Sequence, residues 1–347
     1  MRYFRVDGNA EIGTGHVMRC LSIAKAFQNA GESVTFIVAD LCCEEIIRKN
    51  NINIICLEST WNELENEIEQ ISSTILDKKI ECLIIDSYFV TKKYLRALRK
   101  ITKLVYIDDI DSMLYPVDVL INYNIYAEKL LYSERYRAAG LDTDFVLGCA
   151  YVPLREEFLN IERGINETVR RILITSGGTD TYDVIGNLLQ AIQHWPDFAD
   201  LEYHVIIGAL NKNKESLLKL WGNKKNIYFY FNTPDMAKYM AECDVAITAG
   251  GSTTYELCAC GTPSIIYTVA DNQMGIAETF SELDLIYYAG DVRNDMKKCL
   301  SNIEKYLRIY MERYDLRENI SQRMQNIVDG KGCKNIVSAL TDIVNTD

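Results

Sequence analysis

Short apolar runs alternate with longer amphipathic segments along the whole chain, a rhythm that predicts parallel α/β layering. In the first half the strand candidates are Tyr3 to Val6, Ser33 to Val38, Cys82 to Ile85, Leu104 to Ile107, Val117 to Leu120 and Phe145 to Leu147. Arg171 to Thr175, Tyr203 to Ile207, Ile227 to Tyr230, Val245 to Thr248, Ser264 to Tyr267 and Leu285 to Tyr288 repeat the pattern in the second. Between the first two candidates Val17, Leu21, Ala24 and Phe27 recur at helical spacing, and Gly31 stands where a helix stop is expected. The pattern predicts two α/β domains, residues 1–160 and 168–347. Their boundary is expected around Asn160 to Arg170, where the chain turns polar before a fresh strand. The tail from Ile303 reads mostly as helix, which either stays with the second domain or returns to the first.

Composition narrows the partners more than the fold. The 347 residues are 48% hydrophobic and 25% charged, as in an ordinary globular protein. Lys and Arg number 37 against 49 Asp and Glu, a formal net charge of −12. Such a surface repels phosphate backbones and anionic headgroups, so neither nucleic acid nor a membrane surface is an expected partner. The densest cationic group, Lys92, Lys93, Arg96, Arg99 and Lys100, has the spacing of a solvated helix face. The 11 cysteines form no paired C-x-x-C set, which gives a structural zinc site little support, and Cys258 and Cys260 read as small helix-packing residues. No apolar run approaches the roughly 20 residues that a membrane span needs. No export signal is legible at the start, so a cytoplasmic setting with reduced thiols is expected.

Candidate chemistry gathers at two glycine turns. In the first, a strand ends near Asp7, a loop carries Gly13 and Gly15, and a helix begins around His16. Glycines allow close backbone approach, and free N–H groups at a helix start favour anions. Met18 occupies the third glycine position of G-x-G-x-x-G, so a dinucleotide fingerprint is not supported. His16 is the one histidine at a glycine loop opening a helix. There the helix dipole disfavours imidazolium, leaving a base able to take a proton from water or a hydroxyl near pH 7. His194 and His204 read as structural. In the second turn Gly250 and Gly251 follow a strand, Ser252 or Thr253 caps the next helix, and backbone amides and hydroxyls suit a diphosphate. Glu256 could then accept ribose hydroxyls, although Thr253-x-x-Glu256 equally fits a capping box. Asp86, Tyr88, Asp108 and Asp109 close other strands, Gly177 and Gly178 follow the first strand of the second half, and Asn272 and Gln273 follow a later one. All belong at the carboxyl ends of parallel strands, where ligands bind in doubly wound sheets.

These residues resemble the UDP-sugar hydrolases of the pseudaminic acid pathway and the related spore coat polysaccharide proteins. The resemblance rests on IGTGHVMRCLSIA at 12–24, IIDSY at 84–88, YIDDI at 106–110, INYNIYA at 121–127, YVPLREEF at 151–158, SGGTD at 176–180, AGGSTTYELCACGTPSIIY at 249–267 and DNQ at 271–273. The glycine and TTYE portion is shared more widely, with the glycosyltransferase that completes the peptidoglycan lipid precursor. The resemblance implies a GT-B fold, two Rossmann-like doubly wound domains facing a central cleft, with UDP on the second and the sugar and chemistry on the first. It implies metal-independent hydrolysis, with no cofactor, of a UDP-linked 2,4-diacetamido-2,4,6-trideoxy sugar to UDP and free sugar. By correspondence His16 is the catalytic histidine and Tyr88 the strand-end tyrosine. Ser252, Thr253 and Glu256 bind the nucleotide, and Asn272 and Gln273 meet the diphosphate or sugar. Asp7 and Asn124 are further candidates for orienting sugar or water. The family usually has Asp-His-Tyr where this chain has Asp86-Ser87-Tyr88, and Thr181 replaces a usual proline. An inverting glycosyltransferase that uses an acceptor hydroxyl, and a non-catalytic nucleotide-sugar binding protein, are the alternatives.

Overall fold

A computed structural model describes residues 1–344, apart from 232 and 234. Its described residues form two sheets in which every strand pairing is parallel. The first has seven strands: β1 (Arg2–Val6), β2 (Val34–Val38), β3 (Asn53–Cys56), β4 (Cys82–Asp86), β5 (Lys103–Ile107), β6 (Val119–Asn122) and β7 (Asp144–Leu147). The second has six: β8 (Arg171–Thr175), β9 (Glu202–Ile207), β10 (Ile227–Phe231), β11 (Val245–Ala249), β12 (Ser264–Thr268) and β13 (Tyr287–Asp291). Their orders are β3-β2-β1-β4-β5-β6-β7 and β10-β9-β8-β11-β12-β13. Both are doubly wound: the chain works outward from the first strand on one side, then starts again on the other.

The central strands read as unbroken apolar runs because helices cover both faces of a parallel sheet. All five residues of β4, β11 and β12 are buried. The edge strand β3 escaped the apolar pattern. Its four residues, Asn-Ile-Ile-Cys, are only partly buried or exposed, which gives neither a long run nor a clean alternation. Two other strands lie two residues later than expected, β6 starting at Val119 and β13 at Tyr287. The helix Gly15–Asn29 buries Val17, Leu21, Ala24 and Phe27, and Gly31 follows with φ of +85°. That left-handed conformation costs a glycine little.

The two compact units divide a few residues earlier than expected, and the end of the chain takes the second of its two expected courses, back to the first unit. The first comprises Met1–Arg155 and the chain from Lys331 onward, and the second Glu156–Gly330. The polar stretch expected to be a linker is bonded into the second unit. Arg163 donates to the carbonyls of Met240, Ala241 and Cys243, and Arg317 donates to those of Asn166 and Glu167. The last helix, Gly332–Val344, counts with the first unit. Gly332 lies so close to Val152 that a Cβ would sit 2.1 Å from its carbonyl oxygen, and Asn335 donates to the Ala150 carbonyl at 2.7 Å. Among the described residues no helix is long and apolar enough to cross a membrane.

Candidate active site

In the first unit β1 is flanked by β2 on one side and β4 on the other, so the connections beyond its carboxyl end diverge and leave a crevice. Val6 and Asp86 are register partners at the ends of β1 and β4. The chain leaves β1 through Gly8, where a Cβ would approach Val17 to 2.8 Å. Asn9 then accepts from the N–H groups of Glu11 and Ile12 through its Oδ1, and Gly13 turns the loop with φ of +73°. This folded loop delivers Gly15 and His16 to the start of the helix, beside Asp86.

His16 is 7% exposed, and its Nδ1 lies 2.6 Å from Asp86 Oδ1. Arg19, one turn further along the same helix, grips both oxygens of Asp86: Nε donates to Oδ2 at 2.6 Å and Nη2 to Oδ1 at 2.5 Å. The remaining nitrogen, Nη1, donates to Asp109 Oδ2 at 2.5 Å and to the Tyr123 hydroxyl at 2.7 Å. Burial alone would raise the Asp86 carboxyl, but the guanidinium of Arg19 and then His16 outweigh it and hold the group well below the usual carboxylate range. Arg19 Nη2 also comes within 3.0 Å of His16 Nδ1. A ring nitrogen cannot donate to Asp86 and accept from Arg19 at once. The shorter, charge-assisted contact assigns the proton to Nδ1 and leaves the lone pair on Nε2, as a base requires.

Tyr88 is 39% exposed and sets its ring edge-on to His16, with centroids 4.4 Å apart. Its hydroxyl donates to Asp109 Oδ2 at 3.0 Å. Burial of that hydroxyl and then the Asp109 charge push the phenol far above its ordinary value, so it stays protonated. Tyr123 is pushed up to about 12 by burial. Ser87, at the position where the resemblance led to a histidine, is buried and its Oγ accepts from the Phe89 N–H at 3.2 Å.

Asp7 is placed differently from the expectation that it orients a substrate. Its Oδ2 pairs with the fully buried Arg5 at 2.5 Å and its Oδ1 accepts from the Ala39 N–H at 2.7 Å, so both oxygens are committed within the unit. Arg5 is also held bidentately by Glu67, at 2.7 and 2.8 Å, and Glu67 in turn accepts from Ser59 and Tyr94. Asn124 lies just past β6, buried, with its backbone N–H on Asn122 Oδ1.

The second unit repeats the topology with different chemistry. Its switch lies between β8 and β11, and the loops that follow carry Gly177 and Gly178, then Gly250, Gly251 and Ser252. Gly177 has φ of +72°, and Asp180 accepts from the Val184 and Ile185 N–H groups that open the next helix. Gly208 presses against this loop, where a Cβ would meet the Gly177 carbonyl at 2.3 Å. Ser252 occupies the cap position of the helix Thr253–Cys260 without a side-chain capping bond, and Glu256 is half-buried one turn along. Gln273 accepts from the Val269 N–H and its amide nitrogen lies beside Gly251. Asn272 is exposed on the turn Asp271–Gln273. Cys258 and Cys260 are fully buried in the helix. His204 stacks on Tyr230, and His194 is exposed past a helix end. Neither joins the cluster around His16.

Comparison with known proteins agrees with this architecture. Residues 171–306 match the glycosyltransferase family 28 C-terminal domain. The chain is 24% identical over 347 residues to the spore coat polysaccharide biosynthesis protein SpsG of Bacillus subtilis, covering 97% of this chain and 96% of that protein. It is 26% identical over 258 residues to the UDP-2,4-diacetamido-2,4,6-trideoxy-beta-L-altropyranose hydrolase of Campylobacter jejuni, covering 73% of this chain and 86% of that one. Among solved structures it superposes on MurG of Acinetobacter baumannii with a TM-score of 0.69 at 14% identity, over 99% of this chain and 100% of that one. The chain is homologous to the spore coat protein and the hydrolase, and its fold is GT-B. The resemblance drawn from the motifs holds across nearly the whole chain.

Arg19 and Tyr123 were not among the expected site residues, and Asp86 and Asp109 were expected only as strand ends. Asp86 was visible only as a strand end, because its 70-residue separation from His16 closes through sheet pairing. Arg19 had a local signal: it stands three residues after His16, on the same helix face.

Proposed function

We propose that the chain is an enzyme acting on a UDP-sugar, and that it hydrolyses a UDP-linked 2,4-diacetamido-2,4,6-trideoxy sugar to UDP and free sugar. The observation that carries this reading is the His16–Asp86 pair, with Nδ1 on the carboxylate and Nε2 left as a base. In the proposed reaction Nε2 takes a proton from water as its oxygen forms a bond to the anomeric carbon. The bond from that carbon to the diphosphate oxygen breaks, and its electron pair leaves with UDP. Attack opposite the leaving group inverts the anomeric centre. A positioned general base contributes about 10²- to 10⁴-fold. Tyr88, protonated, against the imidazole and with its proton on Asp109, offers its hydroxyl oxygen as an acceptor to sugar or water in this scheme.

The second unit is assigned the nucleotide. Backbone amides of Gly177, Gly178, Gly250 and Gly251, the hydroxyls of Ser252 and Thr253 and the start of the helix Thr253–Cys260 suit the charge that develops on the leaving diphosphate. Glu256 is assigned to the ribose, and Asn272 and Gln273 to the diphosphate or sugar. Asp7 has no part in the chemistry here, since Arg5 and Ala39 occupy its carboxylate. Support for the hydrolase comes from the Campylobacter relative that bears this name at 26% identity.

A second reading has its own support. The glycosyltransferase family 28 match over residues 171–306 fits a transferase equally well, with an acceptor hydroxyl in place of water. Incubating the purified protein with the UDP-diacetamido sugar and no acceptor separates the two. UDP release in buffer alone is the expected result; release only when an acceptor is added would replace hydrolysis by transfer.

A further inference from the structure

Arg19 has no role in the scheme above, yet its guanidinium bonds to Asp86, Asp109 and Tyr123 in the first unit's crevice. Its side chain is only 12% exposed, and each of its three nitrogens bonds to a group at the carboxyl end of the sheet. We propose that Arg19 is a positioning residue that fixes the imidazole of His16 through Asp86, while Asp109 ties the same guanidinium to Tyr88, so that one side chain sets both rings. The inference rests on the reading of His16 as the base.

The geometry supports a brace with two ends. The side-on grip of Nε and Nη2 on Asp86 fixes the plane of the carboxylate, and the oxygen at 2.5 Å from Nη2 is the one that meets His16 at 2.6 Å. At the other end, Asp109 Oδ2 receives both Arg19 and the Tyr88 hydroxyl, which holds the Tyr88 ring against His16. The groups around the imidazole come from four elements. Asp86 and Tyr88 stand at and after the end of β4, Asp109 after β5, Tyr123 after β6, and Arg19 and Cys20 on the helix that carries His16. Cys20 donates to Asp86 Oδ2 at 3.4 Å and burial raises its thiol well above the ordinary value, so it adds no charge. The ionised neighbours are therefore two carboxylates and one guanidinium. Arg19 and Asp86 act on the imidazole with opposite sign.

The charges give opposite signs for two substitutions. Arg19→Gln removes the positive neighbour and should move the His16 titration midpoint up by about one pH unit, a tenfold change in the protonation equilibrium. Asp109→Asn removes a negative neighbour and should move it down by roughly half a unit, because it acts through Arg19. Arg19→Lys keeps the charge while losing the fork, and should return the midpoint most of the way to wild type. The experiment is a titration of the 15N-histidine-labelled full chain without substrate, followed by long-range 1H–15N correlation. With three histidines in the chain, His16→Ala identifies the signal. Wild type should show the Nδ1–H tautomer. Midpoints that coincide in wild type, Arg19→Gln and Asp109→Asn, or a downward move in Arg19→Gln, would overturn the proposal. Should Arg19→Gln not fold, a midpoint in Asp109→Asn that stays at the wild-type value does so alone. No turnover is measured, so loss of the hydrolase reading in the UDP-release assay leaves this result standing, and the reverse.

Discussion

The two units place their chemistry at the same topological position and fill it with opposite materials. Between β1 and β4 the first unit gathers ionisable side chains bonded to one another: His16, Asp86, Arg19, Asp109 and Tyr88. Between β8 and β11 the second unit gathers glycines, hydroxyls and a helix start. Parallel doubly wound sheets supply a crevice at the switch point whatever the sequence. What differs is the means of control. Charged side chains set a proton's location by pairing with one another, whereas backbone amides offer fixed partial charge to an anion without adding to a net charge of −12. Local dipoles of this kind favour an anion even where the overall field opposes it.

That contrast can be broken at several points, and the largest effect is expected in the charged unit. Arg5 is fully buried and depends on Glu67 for two of its bonds. Glu67→Ala leaves the guanidinium without that partner, a loss of about 3–5 kcal/mol. Urea unfolding should show the first unit's transition at lower denaturant while UDP affinity, assigned to the second unit, is measured in the folded range and stays the same. A coincident loss of both would show that the division of labour is not independent. Next comes the backbone of the second unit. Gly208→Ala would put a Cβ 2.3 Å from the Gly177 carbonyl oxygen and 2.7 Å from Gly178 Cα. Displacing that loop should weaken UDP by about tenfold, or 1.4 kcal/mol, read by calorimetric titration. Wild-type affinity would remove the Gly177–Gly178 turn from the nucleotide site. The smallest effect is expected from Ser252→Ala, which deletes one hydroxyl that makes no capping bond in the fold. A loss of about threefold in UDP affinity with an unchanged melting temperature fits one ligand hydrogen bond. A melting temperature that falls instead would assign the hydroxyl to the helix.

How far the sequence foretold this depends on whether a feature is local. Buried central strands such as β4 and β11 announce themselves by apolar runs, and the helix after β1 by its spacing and by Gly31. The edge strand β3 did not, because half-exposed residues carry no such run. The placement of His16 in the first turn of a helix was legible from the two glycines before it. Asp86 as its partner was not, since their contact exists only once β1 and β4 pair. Asp7 misled for the converse reason: a carboxylate at a strand end looks available until Arg5, two residues earlier, turns out to be buried against it. The expected linker failed similarly, because polarity around Arg163 reflects bonds to backbone carbonyls of the second unit, which composition does not show.

The central claim is that the first unit owns the proton transfer and the second owns the nucleotide. It is tested most directly by comparing wild type with His16→Ala in two assays on the same preparation: UDP release from the UDP-diacetamido sugar without acceptor, and UDP binding by calorimetry. The expected result is a fall in turnover of about 10²- to 10⁴-fold with UDP affinity unchanged. Turnover near the wild-type rate, or UDP affinity lost in step with activity, would contradict the assignment of His16 as the base.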